Sequence, residues 1–553
     1  MTNAKGKFGV TPTESETTST VGNPPRGSRE TPEASAAPMA TDRSEKARSR
    51  KSDMHVAGES DSPIVPEKPA NNSGAPPPAE SAEGRGLTKE NVGQSLLRRT
   101  PSRTKGGKPP GRRSRGLPGV RESAQRDRKL RFTNLFHHLT PELLRASFFE
   151  LRKQAAPGVD GQTWRDYAEG FEKRIMDLHD RLHRGAYRAQ PSKRTYIPKL
   201  DGRMRPLGIA ALEDKIVQQA ARTILECIYE ADFLGFSYGF RPQRSQHRAL
   251  DALYVGITKR KVNWIIDADI RGFFDNIQHE WLMKFLEHRI ADPRMLRLLK
   301  KWLRAGVSED GQWSPTTVGT PQGAVISPLY ANVFLHYVFD LWIHQWRGRH
   351  ARGEVTIVRY ADDFVIGFRE ESDARRCLAD LKERFAKFGL ELHPEKTRLI
   401  EFGRYAEERR AQRGKGPPET FDFLGFTHIC GRTRRGDFTI HRRTARKKFH
   451  AKLADLKAKL RKRMHHDPAE VGAWLQGVIR GWYQYYAVPG NYDRLRQFRS
   501  AIQKMWLRML QRRSQRGRRF TWAHFAKVCQ AWLPKPKILH PYPNVRFASH
   551  YPR

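Results

Sequence analysis

Two short runs of β-branched and apolar residues, 355–358 and 364–368, flank the tetrapeptide Tyr360-Ala361-Asp362-Asp363. This arrangement predicts a β-hairpin with two adjacent aspartates at or just before its tip. Upstream, residues 263–275 read NWIIDADIRGFFD, where 264–266 predict a buried strand and Asp267 and Asp269 follow on one face at period two. Residues 196–209 predict another hairpin, turning at Asp201-Gly202, with Lys199, Arg203 and Arg205 around the turn. In 318–335, Gly319 and Pro321-Gln322-Gly323 predict a loop, and Ser327-Pro328 opens a helix with proline at its first position. Residues 389–397 and 421–426 predict two further strand–turn units.

On either side the period changes. Leu135, Leu139, Leu143, Leu144, Phe148 and Leu151 predict one or two helices, with Thr140-Pro141-Glu142 as a start signal, and 155–161 is a turn-rich loop. After residue 440, three helices are predicted from Phe449, Leu453, Leu456 and Leu460, from Val471 to Tyr486, and from Leu495 to Met509. The first of these helices is otherwise covered with Lys and Arg, and basic helices with interleaved Trp and Tyr suit RNA or hybrid-duplex binding; Trp482 and Tyr486 are the candidates for contact. The expected class is α+β: a disordered extension over 1–125, a strand-bearing region over 126–435, and a helical domain over 436–553 with a short basic tail.

Composition sharpens the choice of partner. Residues 1–125 are rich in Ser, Thr, Pro, Gly, Arg and Glu and contain a single aromatic, Phe8, too little apolar surface to offset chain entropy. Over the whole chain 102 Lys and Arg stand against 59 Asp and Glu, a net charge of +43, which favours a polyanion and salt-sensitive association. No apolar run approaches the roughly 18 residues of a membrane span, and the first residues lack the apolar core of a secretory signal. Four widely spaced cysteines without a Cys-x-x-Cys pair argue against a disulfide framework or a zinc ribbon. A soluble protein of a reducing compartment, acting on nucleic acid, is expected.

The candidate chemistry lies in the carboxylates. Asp-Asp on a turn between buried strands is costly unless a cation lies between them, although it is also a common polar turn. Asp269 supplies a third carboxylate. Carboxylates and phosphates are the ligands Mg²⁺ prefers, and two such ions about 4 Å apart drive nucleotidyl transfer.

Together these motifs resemble a known family. Tyr360-Ala361-Asp362-Asp363, preceded by the Asp269 strand and the Pro321-Gln322-Gly323 loop, is similar to the palm of a reverse transcriptase. The blocks at 205–209, 237–242, 269–275, 320–328, 359–363, 394–397 and 423–425 narrow the resemblance to the reverse transcriptase–maturases of bacterial group II introns. It implies right-hand polymerase fingers and palm followed by a helical thumb, or maturase domain. It also implies two Mg²⁺ ions held by Asp269, the adjoining Ile270, Asp362 and Asp363. Phe274 falls on the steric gate against ribonucleotides and Gln322 near the incoming nucleotide. Lys199 and Arg205 fall near the template or triphosphate, and Lys396 on a lysine able to protonate pyrophosphate. Tyr360 and Ala361 fall on substrate contacts, and Arg241 on a nucleic-acid contact. The implied partners are intron RNA as template, a DNA primer or target, and dNTPs, in the bacterial cytoplasm at the nucleoid. The optional endonuclease domain is missing from the pattern, so a host nick or replication-fork single strand would have to supply the primer. A maturase with an inactive polymerase is the reading from another class, and diversity-generating, retron, CRISPR-associated and viral polymerases are the neighbouring ones. Gln322-Gly323, where diversity-generating enzymes carry Ser-Gln, the helical extension, and the intact carboxylate trio all favour the intron family.

Overall fold

The computed structural model describes residues 116–550 apart from 199–201 and 203. Most of the expected extension, 1–115, lies outside the described residues, as does Lys199. The last part of that extension is ordered, contrary to expectation. Gly116–Arg126 is a helix that buries Val120 and Ala124 and packs on the long helix Leu212–Asp232. Its glycines, proline and arginines read as a basic linker, and only tertiary contact makes it helical.

The described residues contain eleven strands: β1 (Ser192–Pro198), β2 (Met204–Ile209), β3 (Trp264–Asp269), β4 (Val307–Glu309), β5 (Gln312–Ser314), β6 (Val355–Tyr360), β7 (Asp363–Phe368), β8 (Arg398–Glu401), β9 (Phe421–Phe423), β10 (Phe426–Arg432) and β11 (Phe438–Thr444). They form three sheets with orders β2-β1-β4-β5, β6-β7-β3-β8 and β11-β10-β9. The central sheet, β6-β7-β3-β8, is antiparallel throughout. Its β-branched and aromatic residues suit a pleated surface buried on both sides. Ile266, Ala268, Phe364 and Ile366 point into one apolar core with Phe339 and Phe385, while Ile265, Val358 and Val365 point into a second with Leu250 and Ile479.

The second core belongs largely to the C-terminal helices Arg446–Lys462, Pro468–Tyr486 and Tyr492–Arg512, whose apolar stripes bury Leu456, Leu475, Ile479, Phe498 and Trp506. The expected boundary between residues 435 and 436 needs correction. β11 pairs along its whole length with β10, so the sheet crosses that point and the helices begin at Arg446. Residues 389–397 also differ from expectation, contributing only an isolated bridge, Leu392 to Ile270, ahead of β8. At the end of the chain Pro543–His550 is a helix laid on Gln246–Lys259. There Arg546 and Arg442 converge on the buried Asp251, Arg442 at 3.0 Å. No helix among the described residues is long and apolar enough to cross a membrane.

Candidate active site

The site is built on the end of the central sheet. β6 closes at Tyr360 and β7 opens at Asp363, so Ala361 and Asp362 form a two-residue turn. Ala361 is buried and holds a left-handed backbone at φ +59°, a conformation that costs a non-glycine residue about 1–2 kcal/mol. Asp269, the last residue of β3, stands directly opposite Asp363 in the ladder. Asp269, Asp362 and Asp363 thus lie at one end of the sheet, on β3, in the turn and on β7. The main chain of Asp269 is pinned from outside by His393, whose N–H donates to its carbonyl at 2.8 Å.

The electrostatics favour a cation. Burial raises the Asp363 carboxyl well above the usual carboxylate range, and the charges of Asp362, Asp267 and Asp269 push it the same way. Asp362 is raised by burial and by Asp269, against which the Arg205 and Arg359 guanidiniums pull it down. Asp267, on the same face, is paired with Arg398 at 3.0 Å and stands apart from the set. The Lys396 ammonium donates to Asp269 Oδ2. Among the described residues no three acidic, histidine or cysteine side chains are close enough together to enclose an ion. The donor chemistry fits a hard divalent cation all the same: carboxylate oxygens, of which burial and neighbouring negative charge raise Asp362 and Asp363, a cost that a positive charge would relieve. The Ile270 side chain is buried apolar surface, so only its main-chain carbonyl could join such a set.

Around the carboxylates the structure gathers most of the other expected residues. Phe274 is half-buried at an edge of the first core, stacked edge-on against the buried Phe273 at 5.3 Å. Its carbonyl accepts from Thr320 N–H at 2.8 Å, which docks the Pro321-Gln322-Gly323 loop beside it. Gln322 reaches Asp275 at 3.4 Å, and its carbonyl accepts from Gly208 N–H of β2 at 2.7 Å. Gly208 and Gly323 are needed for this approach, because a Cβ on Gly323 would lie 2.9 Å from the Gly208 carbonyl oxygen. β2 in turn carries the exposed Arg205, whose charge reaches Asp362. The half-buried Tyr360 ring faces Phe240 at 6.5 Å.

Three expectations are corrected. Arg241 is not available to nucleic acid. It is buried, pairs with Glu230 at 3.0 Å, and donates to the carbonyls of Leu234 and Ser237 at 2.8 Å. Its fork closes the turn after Leu212–Asp232. Tyr486 is buried in the second core against Phe426, and Trp482 is half-buried, stacked on Phe498 at 4.5 Å and against Tyr486 at 4.2 Å. Both rings pack on the core face of a helix whose single basic residue is Arg480.

Sequence reasoning left Arg359, Asn332 and Asp340 without roles. Arg359 is fully buried in β6, paired with the equally buried Asp340, and bonded to the Ala361 carbonyl in the turn that carries Asp362. A charged residue within a strand whose other positions are mostly apolar was the available signal.

Residues 197–428 match the family model described as "Reverse transcriptase (RNA-dependent DNA polymerase)". The chain is 34% identical to "Protein YkfC" of Escherichia coli (strain K12) over 57% of this chain and 88% of that protein. It is 41% identical to "Group II intron-encoded protein LtrA" of Lactococcus lactis subsp. cremoris over 37% of this chain and 34% of that one. With "Nuclear intron maturase 1, mitochondrial" of Arabidopsis thaliana it shares 27% identity over 17% of this chain and 13% of the maturase.

Proposed function

The chain belongs to the reverse transcriptases, in the company of group II intron-encoded proteins, and is an RNA-directed DNA polymerase; from that premise we propose that it copies and helps splice the RNA of a group II intron. The observation that carries the polymerase part is the register of β3 against β7, which sets Asp269 opposite Asp363 with Asp362 in the adjoining turn. Asp269, Asp362 and Asp363, with the carbonyl of Ile270, would hold Mg²⁺. Bound there, the metal supplies activation of the primer 3′-hydroxyl and neutralisation of the triphosphate and departing pyrophosphate.

The residues of the chain position the reactants. Phe274 lies beneath the sugar of the incoming dNTP and excludes a 2′-hydroxyl. Gln322, held by β2, and Arg205 line the approach of the triphosphate. Lys396, already in reach of Asp269, is placed to give a proton to pyrophosphate. The basic outer faces of the C-terminal helices hold the intron RNA, which serves both as template and as the molecule folded for splicing. Retrotransposition would draw its primer from a nicked or single-stranded DNA of the host, in the cytoplasm at the nucleoid.

The test is a splicing assay on the cognate intron RNA at low Mg²⁺. Wild type and the double variant Asp362→Ala/Asp363→Ala should accelerate splicing to the same extent. Failure of both to accelerate it would overturn the intron assignment while leaving the polymerase untouched.

A further inference from the structure

Arg359, the penultimate residue of β6, has no exposure to solvent, and all five of its N–H groups are engaged. Nε and Nη2 grip the two oxygens of the buried Asp340 at 2.7 and 2.5 Å. The second Nη2 hydrogen goes to Ser237 Oγ at 2.7 Å, and Nη1 divides between Asn332 Oδ1 at 3.2 Å and the Ala361 carbonyl at 2.9 Å. Asn332 passes the contact on, donating from Nδ2 to the Gly239 carbonyl at 2.8 Å. Gly239 lies so close beneath the turn that a Cβ there would be 2.3 Å from Ala361 N. Residues 236–238 run alongside β6 as an unlabelled neighbour, with Tyr238 N–H donating to the Arg359 carbonyl and Arg359 N–H to that of Phe236.

A buried ion pair is weak support for stability, since apolar residues of the same volume often serve as well. An arginine fork in an otherwise apolar strand therefore asks for another explanation, and its contacts supply one. It joins two separate segments, at Ser237 and at Asn332 and Asp340, to Ala361, whose left-handed backbone precedes both turn aspartates. Strained backbone persists where the surroundings over-determine it.

We propose that Arg359, oriented by Asp340 and coupled through Asn332 to Gly239, is a positioning residue that holds the Ala361 turn in its left-handed form and so sets Asp362 and Asp363 for catalysis. This inference rests on the polymerase reading. Lysine cannot replace the fork, because one ammonium with three donors cannot grip Asp340 and reach Ala361 together.

The experiment uses the full chain with Arg359→Lys and with Asn332→Leu, the second leaving the Asp340 pair intact. Primer extension on RNA is resolved into kcat and KM for dNTP, and hydrogen exchange is followed in the peptide spanning 358–364. Both variants should lose about 100-fold in kcat, as expected of misplaced catalytic groups, with KM and template–primer affinity within threefold of wild type. Exchange in 358–364 should rise while that of the helix Glu371–Ala386 stays unchanged. Wild-type kcat, or unchanged exchange at the turn, in the folded Asn332→Leu variant would overturn the proposal. Uniformly raised exchange in both variants would also overturn it, by assigning the network to general stability. A wild type without cDNA synthesis would defeat the polymerase reading instead, and the exchange data would still decide whether the network holds the turn.

Discussion

Phe274 shows how one side chain can carry specificity. Its neighbour Phe273 is buried in the core, whereas Phe274 stands half out, its backbone tied to the Gln322 loop. Phe274→Val should therefore raise ribonucleotide incorporation at least tenfold relative to dNTP at an unchanged melting temperature; a variant that still rejects ribonucleotides would remove Phe274 from the gate. Arg241 makes the opposite case. Removing a buried, fully bonded guanidinium leaves Glu230 and two carbonyls without their donor, so Arg241→Ala should cost about 3–5 kcal/mol of stability. Per folded molecule, RNA affinity should not change, and a filter-binding titration beside a denaturant melt would check both halves. His336 is buried with Nδ1 unpartnered, and burial, followed by the Arg359, Arg241 and Arg128 charges, lowers it to about 3. The unfolded chain takes up that proton below about pH 6.5, so the stabilisation is complete above that value and falls toward pH 3 by about 1.4 kcal/mol per unit. His336→Phe should flatten the loss of stability between pH 7 and 5 by that slope; parallel melts for both proteins would contradict the assignment.

At the scale of elements, the site depends on close backbone approach. Gly239 lies under the Ala361 turn and Gly208 against the Gln322 loop, so each pair of segments is held at a distance that only glycine permits. Gly239→Ala should displace the turn and lower cDNA synthesis about 100-fold, with template–primer affinity retained, as a gel-shift and extension series would show. The elements around the turn were readable from sequence because period-two apolar runs and Pro-x-Gly punctuation are local signals. β3, β6 and β7 appear where the alternation placed them, as do the helices opened by Thr140-Pro141 and Ser327-Pro328. The elements that escaped depend on distant partners. Gly116–Arg126 is a helix only against Leu212–Asp232, and Leu392 is a bridge rather than a strand because only Ile270 faces it. Arg241 and Tyr486 lay in recognisable blocks, but a motif reports that a residue is constrained and not whether it faces a ligand or the interior.

Across the whole molecule, the central sheet divides two apolar cores, one shared with the helices around Phe334 and Phe339 and the other with the C-terminal helices. The C-terminal helices therefore share an apolar core with the strands that carry the aspartates, and the tail helix at Asp251 is tied to Gln246–Lys259. The chain's net charge of +43 favours a polyanionic partner, and the proposed chemistry lies at one acidic sheet end. In the proposed division of roles, the carboxylate turn would make DNA and basic surface would hold RNA. The most direct measurement is primer extension on an RNA template with dNTPs and Mg²⁺, run with wild type and with Asp362→Ala/Asp363→Ala at matched RNA occupancy. Template-length cDNA from wild type alone, with equal RNA binding by both, is the predicted result; well-folded wild type that binds the RNA tightly yet extends no primer would contradict it.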